Sequence, residues 1–228
     1  MAATTIPRPV LVLDLDNTLL HTIPAVHLAP GEAYLLRRPP PTQPGQQQQM
    51  FFDMAATHGY LTKLRPFVRT FLREAGAMYD LRICTMGTRA YAHHMARLLD
   101  PDGALFSPSR IVAREDLKEG DRKGLDDVVP GGDVRAVVIL DDTVEVWEKH
   151  LDNLVPVRPY DYFAGRWRRG KSFAQMRMDE EAEGGLAKAL DLLRRAHEMF
   201  LDQGAGGDLR EVLRRLRKKP ELRVPRRC

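Results

Sequence analysis

Two aspartates one residue apart, Asp14 and Asp16, close the apolar run Val10-Leu11-Val12-Leu13. A run of this kind reads as a buried strand of a parallel sheet, and such sheets carry their chemistry just beyond the carboxyl ends of the strands. A second run, Val137-Val138-Ile139-Leu140, ends in Asp141-Asp142-Thr143, and a third, Leu81-Arg82-Ile83-Cys84-Thr85, ends in a hydroxyl. Lys123 lies between them in a polar loop. Crowded carboxylates repel, so they call for a cation or a shared proton, and a hard divalent ion such as Mg²⁺ prefers oxygen ligands. Asp14, the backbone carbonyl of Asp16 and Asp141 supply such oxygens. A hydroxyl and an ammonium suit the equatorial oxygens of a phosphoryl group in transfer. The set points to metal-assisted phosphoryl transfer.

Other readings fit less well. A calcium loop also begins Asp-x-Asp, but it needs glycine at its sixth position, where this chain has Leu19. An Asp-x-Asp pair alone is more often a strand end and a helix cap; the second acidic pair, the hydroxyl and the lysine change that balance. A cysteine-dependent phosphatase loop is out of register, because Arg89 follows Cys84 after only four residues. Cys84 reads as a small buried hydrophobe.

The elements that must position these groups are visible in the periodicity. Pro66 fits the first turn of a helix running through Phe67, Phe71 and Leu72, and Thr88 caps one that carries Met95, Leu98 and Leu99. His93 and His94 on that helix read as surface residues, and Tyr160, Tyr162 and Phe163 as core. The stretch Pro39–Gln49 reads as a flexible low-complexity loop. Leu186, Leu190, Leu193, His197 and Phe200 form a helical stripe ended by Gly204-Ala205-Gly206-Gly207. From Arg210 to Cys228 nine Lys and Arg stand against two Glu, so this segment holds all the excess positive charge of a chain of net +4. It reads as a nuclear localisation patch, an electrostatic handle for an anionic partner, or a solvated basic helix end.

Composition sets the outer bounds. At 228 residues and 43% hydrophobic the chain buries one sizeable core. The first residues lack the apolar stretch of a signal peptide, and no run approaches spanning length, so no membrane association is expected. Two cysteines, Cys84 and Cys228, fit a reducing compartment.

The order aspartate pair, Thr85, Lys123, aspartate pair resembles the haloacid dehalogenase superfamily. Asp14-Leu15-Asp16-Asn17-Thr18-Leu19-Leu20-His21, Lys63-Leu64-Arg65-Pro66, Thr85-Met86-Gly87 with Tyr91-Ala92, Leu99-Asp100-Pro101 and Asp141-Asp142-Thr143 through Trp147 resemble the phosphatases of the RNA polymerase II carboxy-terminal domain. The Thr85-Met86-Gly87 form is similar to the large, FCP-like branch. The resemblance implies an α/β fold with a Rossmann-like parallel sheet and a phosphatase domain over residues 1–165; the large branch usually adds a BRCT domain, but the 65 residues after Phe163 are too few for one, so 166–228 read as a helical, basic C-terminal extension with no BRCT domain. It makes Asp14 the nucleophile and Asp16 the general acid and base. Thr85, Lys123, Thr18 and Arg65 become substrate or phosphate contacts. Asp14, Asp16 and Asp141 become the Mg²⁺ site, with Asp142 and Asp100 in support. The implied substrate is a phosphorylated peptide, foremost the polymerase repeat, in the nucleus, with no direct binding of nucleic acid. A phosphatase of another phosphoprotein or a small phosphometabolite, and an idle binding module, are the alternatives. A second departure is Phe67, which follows Arg65-Pro66 where the family commonly has glycine.

Overall fold

A computed structural model describes residues 8–37, 50–118, 120, 122–164, 171–179 and 184–217. In chain order the elements are β1 (Val10–Leu13), β2 (Leu20–Pro24), β3 (Phe51–Met54), the single turn α1 (Ala55–His58), β4 (Tyr60–Leu64), α2 (Val68–Met78), β5 (Asp80–Cys84) and α3 (Arg89–Leu99). They continue with β6 (Ile111–Val112), α4 (Leu125–Val128), β7 (Val137–Asp141), a 3-10 stretch over Val144–His150, β8 (Leu154–Pro156), α5 (Phe173–Met176), α6 (Gly185–Asp202) and α7 (Leu209–Arg217).

Five parallel strands form the central sheet in the order β6-β5-β1-β7-β8. The nonalternating apolar runs are explained by two covered faces. Leu11, Leu13, Leu81, Ile83, Val138 and Leu140 point into one core, which α2, α3, α6 and α7 complete. Val12, Cys84, Val137, Ile139 and Leu154 point into the other, with Leu125, Val128 and Trp147. The expected α/β, Rossmann-like sheet is therefore present. The apolar residues Leu19 and Leu20 do not extend the first strand. The chain turns after Asp16 and Leu20 opens β2, which joins β4 and β3 in a separate antiparallel sheet.

Thr88 caps α3 as expected, its hydroxyl accepting from the Tyr91 amide at 3.3 Å. Tyr160, Tyr162 and Phe163 are buried, as is Cys84, whose thiol burial pushes up to about 12. Helix α2 begins at Val68, two residues after Pro66, because Phe67 takes a left-handed conformation at φ 69°. Glycine adopts that conformation without penalty, which gives a physical reason for a glycine at this position. Here the Phe67 ring offsets the strain by packing against the main core.

The C-terminal helices are not an appendage. Leu186, Leu190, Leu193 and Phe200 of α6 and Leu209, Val212, Leu213 and Leu216 of α7 belong to the same core as β1. From Arg210 to Arg217 the basic segment is one face of a packed helix, as the reading of a solvated basic helix end has it. Its remainder, Lys218–Cys228, lies outside the described residues, as does the loop Pro39–Gln49. Among the described residues no helix is long and apolar enough to cross a membrane.

Candidate active site

The register of the central sheet builds the site. Leu13 of β1 lies opposite Ile83 of β5 and Leu140 of β7, so the next residues, Asp14, Cys84 and Asp141, leave the sheet level with one another. The Asp14 amide donates to the Leu140 carbonyl at 3.0 Å, and the Thr85 amide to Val112 at 3.0 Å, which extends the ladder to the rim. Lys123 enters just ahead of α4, its amide held by the Val146 carbonyl at 2.9 Å. An open cleft of about 340 Å³ lies over these ends, with Asp14, Asp16, Asn17, Thr85, Lys123, Asp141 and Asp142 in its walls.

Lys123 Nζ sits 2.6 Å from Asp14 Oδ1 and 2.7 Å from Asp141 Oδ2, and all three side chains are at most 8% exposed. Burial of this kind disfavours isolated charges, so the geometry is tenable only because one ammonium is shared by two carboxylates. Burial pushes the Asp14 carboxyl well above its ordinary range, with Lys123 pulling down and Asp141 pushing up. Burial alone would lower Lys123, but Asp14 and Asp141 outweigh it and hold the ammonium charged. Asp141 is fixed further by the Trp147 indole N–H and the Thr143 amide, each donating at 2.8 Å.

Asp16 lies apart from that knot. Its carboxyl is raised by burial, an effect opposed by a hydrogen bond from Tyr91, whose hydroxyl lies 2.5 Å from Asp16 Oδ1. The turn that separates the two acids depends on Asn17 at φ 62°, a conformation asparagine tolerates. The Asn17 side-chain amide donates to Asp161 Oδ1 at 2.7 Å and so ties the turn to the segment after β8.

Other residues singled out in the sequence fall elsewhere. Thr18 is fully buried beneath the turn; its hydroxyl accepts from the Asp142 amide at 3.1 Å and lies 3.4 Å from Asp142 Oδ1. It does not line the cleft. Arg65 is likewise fully buried, donating to the Thr18 carbonyl at 3.1 Å and the Arg158 carbonyl at 3.0 Å, with its guanidinium 5.5 Å from the centre of the Tyr160 ring. It braces the loop that carries Asp16 and is not among the residues that line the cleft. Asp100 clips the turn after α3 by accepting from the amides of Ala104, Leu105 and Phe106 at 3.2, 2.7 and 3.0 Å. Thr85 does reach the cleft, with its hydroxyl accepting from the Gly87 amide at 3.0 Å.

Among the carboxylates, Asp142 joins the expected Asp14 and Asp141, while the oxygen expected of Asp16 is its backbone carbonyl. Carboxylate oxygens of Asp14, Asp141 and Asp142 lie within 4.8 Å of one another. The Asp16 side chain, engaged by Tyr91, is not among them. An all-oxygen, mostly anionic set fits a hard divalent cation. Asp142, placed in a supporting role by the sequence, therefore belongs with the candidate ligands.

Residues 9–169 match the family described as "NLI interacting factor-like phosphatase". The chain belongs to the NLI interacting factor-like phosphatase family. Among relatives of this phosphatase family, RNA polymerase II C-terminal domain phosphatase-like 4 of Arabidopsis thaliana is 41% identical over 225 residues, covering 92% of this chain and 49% of that protein. An RNA polymerase II C-terminal domain phosphatase of Homo sapiens is 35% identical over 159 residues, 68% of this chain and 15% of that protein. The chain thus spans about half, or less, of the length of these relatives. A solved structure described as Fcp1, an essential RNA polymerase II CTD phosphatase, superposes with a TM-score of 0.70 at 22% identity over 93% of this chain and 71% of that one, a likeness of fold.

Proposed function

We propose that this chain is a Mg²⁺-dependent phosphatase of phosphoserine, and of phosphothreonine, on the RNA polymerase II carboxy-terminal repeat, working through an aspartyl-phosphate on Asp14. The observation that carries this reading is the buried bridge from Lys123 to Asp14 and Asp141 on the floor of an open cleft that also holds Asp16. The names of the relatives support the choice of substrate, and a polymerase substrate in turn favours the nucleus as its setting.

Each residue then has a separate task. Asp14, aimed into the cleft from the end of β1, attacks phosphorus and accepts the phosphoryl group. Asp16 protonates the departing serine oxygen and, in the second half-reaction, takes a proton from the attacking water. Lys123 and the Thr85 hydroxyl offset charge on the phosphoryl oxygens. Asp14, Asp141 and Asp142 would hold Mg²⁺, which supplies further positive charge for the phosphoryl oxygens when bound. The openness of the cleft suits a side chain presented on a peptide.

The test is phosphate release from singly phosphorylated repeat peptides, with Mg²⁺ present or chelated. Release that depends on Mg²⁺ supports the reading. Hydrolysis of a generic aryl phosphate but of no peptide would transfer the activity to a small phosphometabolite.

A further inference from the structure

Tyr91 donates into Asp16 from an unusually constrained position. Its ring passes so close to Gly87 that a Cβ there would lie 2.6 Å from Tyr91 Cδ1, so only glycine leaves room for it. On another side the Tyr60 ring meets it nearly edge-on, with centroids 5.8 Å apart. The Tyr91 hydroxyl also lies 2.9 Å from Thr22 Oγ1, and Thr22 Oγ1 lies 2.9 Å from Thr62 Oγ1, its cross-strand partner between β2 and β4.

The proton count gives this chain a direction. A phenol has one proton, and the carboxylate at 2.5 Å is the strongest acceptor in reach. Thr22 must then donate to the Tyr91 oxygen, and Thr62 to Thr22. The sulfur of Met95, 3.8–3.9 Å from both threonines, competes only as a weak acceptor. All three hydroxyls therefore point toward Asp16, and aligned bonds of this kind polarise one another.

We propose that Tyr91, backed by Thr22 and Thr62, is a positioning residue that pins Asp16 Oδ1 and so presents Oδ2 as the oxygen that exchanges the proton with leaving group and water. This rests on the reading of Asp16 as the proton carrier. It assigns the antiparallel sheet a part in the chemistry, through two threonines that never reach the cleft.

The test uses the full chain and the variants Y91F, T22V and T22S. Y91F keeps the ring, so its melting temperature should stay near that of the wild type. It should lower kcat on a phosphoserine peptide by on the order of tenfold, a part of what general acid–base catalysis contributes. KM should not change, and the first-turnover burst with an activated aryl phosphate, whose leaving group needs no proton, should stay within about twofold. T22V should show a smaller loss with the same split, and T22S should restore the wild-type value. An activity-free arm separates this idea from the reading beneath it: the wild type should show a downfield hydroxyl proton resonance that vanishes in both Y91F and D16N. Failure of the wild type to release phosphate, with that resonance present, would sink the phosphatase reading but leave the hydroxyl chain standing. A missing resonance, or equal losses in burst and peptide turnover, would overturn the chain itself.

Discussion

The same pairing, cation to carboxylate, occurs in two settings of opposite character. At the floor of the cleft Lys123 bridges Asp14 and Asp141 with all three side chains at most 8% exposed. Along α7, Arg214 meets Asp152 at 3.5 Å and Arg215 meets Glu211 at 3.6 Å, with every one of these side chains more than half exposed. Water replaces a lost partner on the helix surface, whereas nothing replaces it under the sheet edge. Exposed pairs contribute about 0–1 kcal/mol, while breaking a buried one costs about 3–5 kcal/mol. The buried bridge lies where the proposed chemistry needs charge, whereas α7 is held by its apolar stripe.

The sharpest way to break this comparison is Asp14→Asn. Turnover should fall by several orders of magnitude, as removal of a covalent nucleophile does, while the fold survives because Lys123 keeps Asp141. Phosphate release and thermal melting measured together check this, and retention of about a tenth of the activity would remove Asp14 from its role.

Next is Lys123→Met, which should destabilise the protein by about 3–5 kcal/mol by leaving carboxylates buried side by side. The sign of its pH dependence follows from Asp14. Its carboxyl is raised in the folded state above the value in the unfolded chain, so the folded state takes up the proton first and stability rises as pH falls through the raised value. The variant should therefore recover stability between neutral and mildly acidic pH. Added Mg²⁺ should recover part of it at neutral pH by mass action on the three-acid set. Urea unfolding at both pH values, with and without the ion, is the measurement.

Asp100→Ala tests an intermediate case, one carboxylate serving three amides away from the cleft. We expect a loss of about 1–3 kcal/mol from unsatisfied donors, with kcat unchanged below the melting transition. The smallest effect belongs to Arg214→Ala, at most about 1 kcal/mol and without effect on turnover. A larger loss there would show that α7 is held by its charges after all.

How much of this the sequence displays depends on the range of the interaction concerned. Strands β1, β5 and β7, the Thr88 cap and the stripe of α6 are local patterns of polarity, and all are readable along the chain. The roles of Thr18 and Arg65 are not, because they depend on contacts with Asp142 and Arg158, which are distant in sequence. Both residues sit inside a motif of functional appearance, and both act behind it as braces. The segment from Arg210 misleads for another reason. Its arginines dominate the composition, yet Leu209, Val212, Leu213 and Leu216 recur at helical spacing and decide where it goes. Tyr91 is visible as part of a motif, but its hydrogen bonds to Asp16 and Thr22 become apparent only once α3 lies beside β2.

The integration of α6 and α7 into the main core has a consequence for biosynthesis. When β8 has left the ribosome every strand of the central sheet has been made, yet the face carrying Val138 and Leu140 still lacks α6 and α7, two of the four helices that cover it. Translation at about 5–20 residues per second leaves that face open for on the order of several seconds, until Leu216 emerges. Full coverage of that face accordingly waits for α6 and α7, and until then the partly covered sheet is a natural client for a chaperone that shields apolar surface.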